Sequence, residues 1–89
     1  YMAEAMAAAG EAIGLPKDLS EKLARHTVTG AGTLLEESDE SISKLRENVT
    51  SRGGTTAAAL DVLMSDEGIA KAIRRAIQEA KARSKELAG

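Results

Sequence analysis

Apolar residues recur at helical spacing through almost the whole chain, and glycine, proline or clustered charge interrupts them at a few points. Met2, Ala5, Met6, Ala9 and Ile13 form the first stripe, and Ala3, Ala7, Ala8 and Ala12 widen it nearly all the way round. The pattern predicts a helix over 2–13, buried on most sides, with Gly14 as its stop and Pro16 just beyond. A second helix is predicted from Lys17 or Asp18 to about Glu36, with Asp18 or Ser20 suited to its first turn. Leu19, Leu23, Thr27, Ala31 and Leu34 share one face, beside Ala24, Val28 and Leu35. The segment from Thr27 to Leu35 carries no charge, so this half is expected to enter a core or an interface. Gly30 and Gly32 each cost about 1 kcal/mol against alanine in a helix interior, tolerable where another backbone comes close.

The acidic run Glu36-Glu37-Ser38-Asp39-Glu40 reads as a solvated connector, since it lacks the glycine and ligand spacing of a calcium loop. Ser41 suits the cap of a short helix from Ile42 to about Glu47, with Ile42 and Leu45 turned inward. Then comes Asn48-Val49-Thr50-Ser51-Arg52-Gly53-Gly54-Thr55-Thr56, the only densely polar, glycine-paired segment. A helix from about Thr55 to Met64 follows it, anchored by Leu60, Leu63 and Met64, with Thr55 or Thr56 as its N-cap. Asp66 is the expected cap of a last helix over about Glu67–Leu87, striped by Ile69, Ile73, Ile77, Ala80 and Leu87. Its basic residues lie mostly off that stripe, on a solvated face. With no strand pattern and no internal repeat, the fold class is all-α, with about five helices.

Composition changes this picture in one respect. The chain has 89 residues and is 43% hydrophobic, but a single tyrosine is its only aromatic residue and much of the rest is alanine. Burial stabilises by about 25 cal/mol per Å², and small side chains bury little area each. A lone domain of this size would have a thin core, and a partner chain or domain is the natural source of the missing burial. The net charge of −2, with acids and bases mixed, offers no basic patch for nucleic acid. With no cysteine there is neither a disulfide framework nor a thiolate zinc site. No run is long and apolar enough to span a bilayer, and no signal-peptide pattern opens the chain, so a soluble, cytoplasmic protein is expected. Tyr1-Met2 leads directly into helical pattern, as at a fragment boundary.

The candidate chemistry sits in the glycine-paired loop. Gly53-Gly54 permits a tight turn, and the first N–H groups of the following helix lack partners within it, so the loop offers amides and hydroxyls to a small anion such as a carboxylate. The same residues also read as an ordinary capped helix after a turn. His26, the sole histidine, has Lys22, Leu23, Thr29 and Gly30 as its helical neighbours, with no carboxylate to orient the ring. An ordinary surface or interface histidine describes it better than a catalytic one, and no metal site can be assembled around it. Paired carboxylates, a nucleophile with a base, and a Walker loop are all missing.

Lys44 to Leu60, KLRENVTSRGGTTAAAL, resembles the signature of pyrroline-5-carboxylate reductases. Met2-Ala3-Glu4-Ala5-Met6 with Gly10, and Ile13-Gly14-Leu15-Pro16, resemble the first helix of that family's C-terminal domain. Thr27-Val28 with Gly30-Ala31 and Leu34-Leu35-Glu36 resemble its long second helix, and Arg83-Ser84-Lys85-Glu86-Leu87 its usual end. The resemblance implies an intertwined helical dimerisation domain, like the C-terminal domain of 6-phosphogluconate-dehydrogenase-like proteins. It implies reduction of 1-pyrroline-5-carboxylate to L-proline with NADPH or NADH, the cofactor held mainly by an N-terminal dinucleotide-binding domain absent from residues 1–89. It implies a homodimer or higher oligomer with no nucleic-acid or membrane partner, and a fragment inactive alone. The substrate carboxylate would be held by Ser51, Gly53, Gly54, Thr55 and Thr56, with Thr56 as the catalytic residue near the ring nitrogen. Where the family usually has proline, this chain has Arg52, which either faces solvent or attracts an anionic substrate or cofactor phosphate. His26 matches no family motif. The other reading is a freestanding helical dimerisation or interaction module with an anion-binding loop. About 150 or more upstream residues opening with a strand and a glycine-rich turn would separate the two.

Overall fold

A computed structural model describes all residues, 1–89, as five helices and no strand. They are α1 (Met2–Ala12), α2 (Lys17–Glu37), α3 (Ile42–Asn48), α4 (Thr55–Leu63) and α5 (Ile69–Ala88). The chain divides into two compact units, Tyr1–Ile42 and Ser43–Gly89.

In the first unit α1 packs on α2. The turn between them is a Schellman closure. Gly14 adopts φ 105°, its N–H donates to the Glu11 carbonyl at 3.0 Å, and the Leu15 N–H donates to the Gly10 carbonyl at 3.0 Å. Pro16 then stands at the N-cap of α2 with φ −58°, and Asp18 supplies the negative charge in the first turn. Ser20 takes no capping role. It is buried at 2% exposure where the two helices meet, and its hydroxyl has no partner. Gly10 makes this contact possible: a Cβ there would stand 2.9 Å from Ser20 Oγ and 3.2 Å from Ser20 Cβ. Ser20 and Ala24 are the only buried residues in the unit.

Beyond Ala24 the helix is uncovered. Val28, Leu34 and Leu35 are each close to half exposed, and nothing lies within 4 Å of a Cβ built at Gly30 or Gly32. The charge-free half of α2 therefore enters no core of its own unit, which leaves the interface half of the sequence expectation standing. The near all-round apolar α1 likewise has no buried residue. A helix as apolar as this is stable in water only when another surface covers it. At its far end α2 passes into the acidic connector, where the Glu40 N–H donates to Ser38 Oγ at 3.1 Å.

The second unit contains α3 from Ser43 onward, α4 and α5, and none of its residues is buried. Leu45 is half-buried, but Ile42 is 75% exposed, which corrects the inward orientation predicted for it. Seven residues make two turns, too short to bury both ends without a facing element. The stripe on α5 is sharply amphipathic, yet Ile73 and Ile77 are exposed at 42% and 65%. On its charged face Lys71 pairs with Glu67 of the preceding turn and Arg83 with Glu86, both at 2.9 Å and both well exposed, so each contributes little.

The corner between α4 and α5 also departs from the sequence expectation. Asp66 does not cap the last helix, and the helix does not begin at Glu67. The N-cap is Gly68, with φ −84° and ψ −163°, and α5 opens at Ile69. The Ser65 hydroxyl donates to the Val62 carbonyl at 2.6 Å and the Gly68 N–H donates to the Ser65 carbonyl at 2.9 Å, so a turn occupies the residues an Asp66 cap would need.

Candidate functional site

The glycine-paired loop lies wholly within the second unit, between α3 and α4. It begins at the C-terminus of α3, where the Val49 N–H donates to the Arg46 carbonyl at 3.3 Å and the Thr50 N–H to the Glu47 carbonyl at 3.1 Å. Thr50 Oγ1 donates to the Arg46 carbonyl as well, at 2.6 Å. Ser51 then opens a four-residue turn closed by the Gly54 N–H on the Ser51 carbonyl at 3.0 Å. Gly53 has φ 74°, and no residue other than glycine has positive φ. A positive angle at the third position alone is the type II pattern, which needs glycine there and favours proline at the second position.

That second position is Arg52. Its side chain is exposed and forms no ion pair within the chain, which fits the solvent-facing reading. Arg52→Pro is accordingly expected to stabilise the domain by about 0.4–1 kcal/mol, since it restricts the unfolded chain without straining the turn. Equilibrium denaturation measures this, and an unchanged or lower midpoint would contradict the turn assignment.

Helix α4 starts differently from the sequence expectation. Its N-cap is Gly54, with φ −85° and ψ −177°, and neither Thr55 nor Thr56 caps it. The threonines are the first two helical residues instead, because the type II turn delivers an extended Gly54 where a cap belongs. No side chain bonds to the helix start, and the first closing bond runs from the Ala58 N–H to the Gly54 carbonyl at 3.1 Å. The N–H groups of Thr55, Thr56 and Ala57 are thus left without partners in the chain, at the end of the helix where the macrodipole is positive.

Ser51 sits against this opening: a Cβ built at Gly54 would stand 2.5 Å from Ser51 Oγ. Gly54, Thr56 and Ala57 are half-buried, while Ser51, Gly53 and Thr55 are exposed. Ser51, Gly53, Gly54, Thr55 and Thr56 therefore come together in one continuous turn, and the hydroxyls of Ser51 and Thr56 carry no hydrogen bond within the chain. Three convergent amides, two free hydroxyls and no carboxylate among residues 48–57 suit a small anion. His26 is exposed on α2, in the other unit. No group of three or more histidine, aspartate or glutamate side chains could hold a metal ion, and no helix is long and apolar enough to cross a membrane.

Sequence reasoning missed Thr50. Its signal was a hydroxyl residue directly after a short helix and four positions beyond Arg46, a spacing at which a side chain can reach back to a helix carbonyl.

Residues 1–87 match the family described as pyrroline-5-carboxylate reductase dimerisation. Among curated relatives, pyrroline-5-carboxylate reductase 1 of Bacillus spizizenii is 42% identical over 87 residues, which are 98% of this chain and 29% of that protein. Pyrroline-5-carboxylate reductase of Synechocystis sp. is 42% identical over 86 residues, 97% of this chain and 32% of its own length. The Glycine max protein of the same name is 40% identical over 88 residues, 98% of this chain and 32% of its own. The chain thus spans about a third of the length of the relatives it matches, in their C-terminal part.

Proposed function

This chain belongs to the pyrroline-5-carboxylate reductase dimerisation family, and from that premise we propose that it is the dimerising, substrate-loop part of an enzyme that reduces 1-pyrroline-5-carboxylate to L-proline. The observation that carries the reading is the start of α4, three unpartnered amides behind a type II turn. An acid group there gains hydrogen bonds and the favourable end of the helix dipole, with no competing carboxylate nearby. The proposed substrate carries one such group on a five-membered imine ring.

In this reading the amides of Thr55, Thr56 and Ala57 take the carboxylate, and Ser51 adds its hydroxyl. Gly53 and Gly54 are needed for the approach itself, one by its backbone angle and the other because a side chain would collide with Ser51. The Thr56 hydroxyl is assigned to the ring nitrogen, where it orients the imine and assists its protonation. Fixing the ring by two points, acid and nitrogen, presents one carbon in one orientation, and such positioning supplies much of the rate.

A nicotinamide cofactor, NADPH or NADH, does not fit these residues. A dinucleotide site needs a strand, a glycine-rich turn and a helix in that order, and residues 1–89 contain no strand. It belongs on an N-terminal dinucleotide-binding domain of the longer enzyme, and the chain by itself would then have no reductase activity. Two copies of the chain would pair through the uncovered faces of α1, α2 and α5, which the family's description as a dimerisation domain supports.

The reading is tested by titrating L-proline into the dimeric, nitrogen-labelled chain and following its amide resonances. Saturable shifts are expected at Thr55, Thr56 and Ala57, with α5 unmoved. Resonances of this loop that stay fixed while proline reaches high millimolar concentration would remove the site.

A further inference from the structure

We propose that Thr50 is a positioning residue for this turn: it sets the direction from which Ser51 enters and does not itself touch the substrate. The inference rests on the reading of the turn given above and extends it by one residue.

The loop has little else to hold it. Val49 is 62% exposed, and Ser51, Arg52 and Gly53 are exposed, so little apolar burial holds the loop's entry. Thr50 is half-buried and tied to α3 twice, by its N–H on the Glu47 carbonyl and by its hydroxyl on the Arg46 carbonyl at 2.6 Å. These are two of the terminal carbonyls that a helix leaves open. The next residue, Ser51, accepts the closing bond of the turn, and Gly54 accepts the first bond of α4 from Ala58. A series of hydrogen bonds thereby runs from the end of α3 to the start of α4: Thr50 to Arg46 and Glu47, Gly54 to Ser51, Ala58 to Gly54. Releasing the hydroxyl bond leaves the turn and the backbone bonds of Val49 and Thr50 to α3 intact but removes one of the two ties on Thr50, and the Ser51 hydroxyl is held less closely to its direction. A serine at position 50 can make the same bond. A valine has the same shape but no donor.

The experiment compares Thr50→Val, Thr50→Ser and Ser51→Ala in the full-length dimeric enzyme. Thr50→Val is expected to raise KM for 1-pyrroline-5-carboxylate about tenfold, the size of one lost hydrogen bond. The kcat, the KM for the nicotinamide cofactor and the melting temperature should stay near wild type, and Thr50→Ser should restore the substrate KM. If Ser51→Ala raises the substrate KM while Thr50→Val does not, Thr50 has no positioning part and the inference is overturned. It is equally overturned if Thr50→Val lowers stability and weakens both KM values together, or if Thr50→Ser fails to restore. If Ser51→Ala and Thr50→Val both leave the substrate KM unchanged, the reading of the turn itself falls.

Discussion

A Thr56→Ala enzyme is expected to lose about a hundredfold in kcat/KM for 1-pyrroline-5-carboxylate, with most of the loss in kcat. Thr56 is the second residue of α4, half-buried, with a hydroxyl that bonds to nothing in the chain. Alanine keeps the backbone amide, so the proposed grip on the carboxylate survives and KM changes little. What disappears is the donor proposed to face the nitrogen where charge changes during reduction, and removing one such donor typically costs about 10²–10³ in rate. Thr56→Ser should recover much of the activity. Steady-state kinetics on the three enzymes decide the matter, and a kcat untouched by alanine would show that the hydroxyl has no part in the chemistry.

Gly68→Ala should be the most damaging single-methyl change in the second unit. The backbone angles of Gly68, −84° and −163°, are open to any residue, so conformation is not the obstacle. Space is. A Cβ would press into the carbonyl oxygen of Leu63, 2.7 Å from its carbon and 2.9 Å from the Ser65 carbonyl oxygen. All three are main-chain atoms, so neither α4 nor the turn can yield by rotating a side chain. A loss of about 3 kcal/mol is expected, at the upper end of ordinary overpacking. In a domain this small that lowers the melting temperature by roughly 12–24 °C. Calorimetry of the variant checks it, and a shift of a degree or two would mean that the corner is looser than its geometry. Gly53 presents the opposite case: nothing lies within 4 Å of its absent side chain, and its requirement for glycine comes from φ 74° alone.

These two glycines show where sequence reasoning reached and where it stopped. Helices α1 and α2 were legible nearly to the residue because local chemistry decides their ends. Gly14 closes one, Pro16 precedes the other, and both signals act within a turn of the boundary. Asp66 misled because an acidic residue ahead of an apolar stripe is a good cap in isolation. The true start was settled at Gly68, which leaves no room for a side chain beside the Leu63 carbonyl at the end of α4, a closeness that composition does not reveal. The same holds at α4, where Thr55 and Thr56 had the right chemistry for a cap but the preceding turn had already placed Gly54 there.

The candidate site was legible as a set, since Ser51, Gly53, Gly54, Thr55 and Thr56 lie within six consecutive residues and a turn must gather them. Thr50 escaped because its hydroxyl points back to Arg46, away from the residues that attracted notice. The apolar stripes were equally plain, but a stripe states only that something covers it. For α2 and α5 that covering is not supplied by their own units, as the exposure of Leu34, Leu35 and Ile77 makes clear.

The uncovered half of α2 has a consequence in the cell. If the proposed pairing covers it, a freshly synthesised copy leaves the ribosome with a greasy rod end and no mate, and it stays adhesive until it finds one. Encounter frequency rises with the number of copies present, so scarce expression prolongs this vulnerable interval, and chaperone capture or proteolysis then competes directly with pairing.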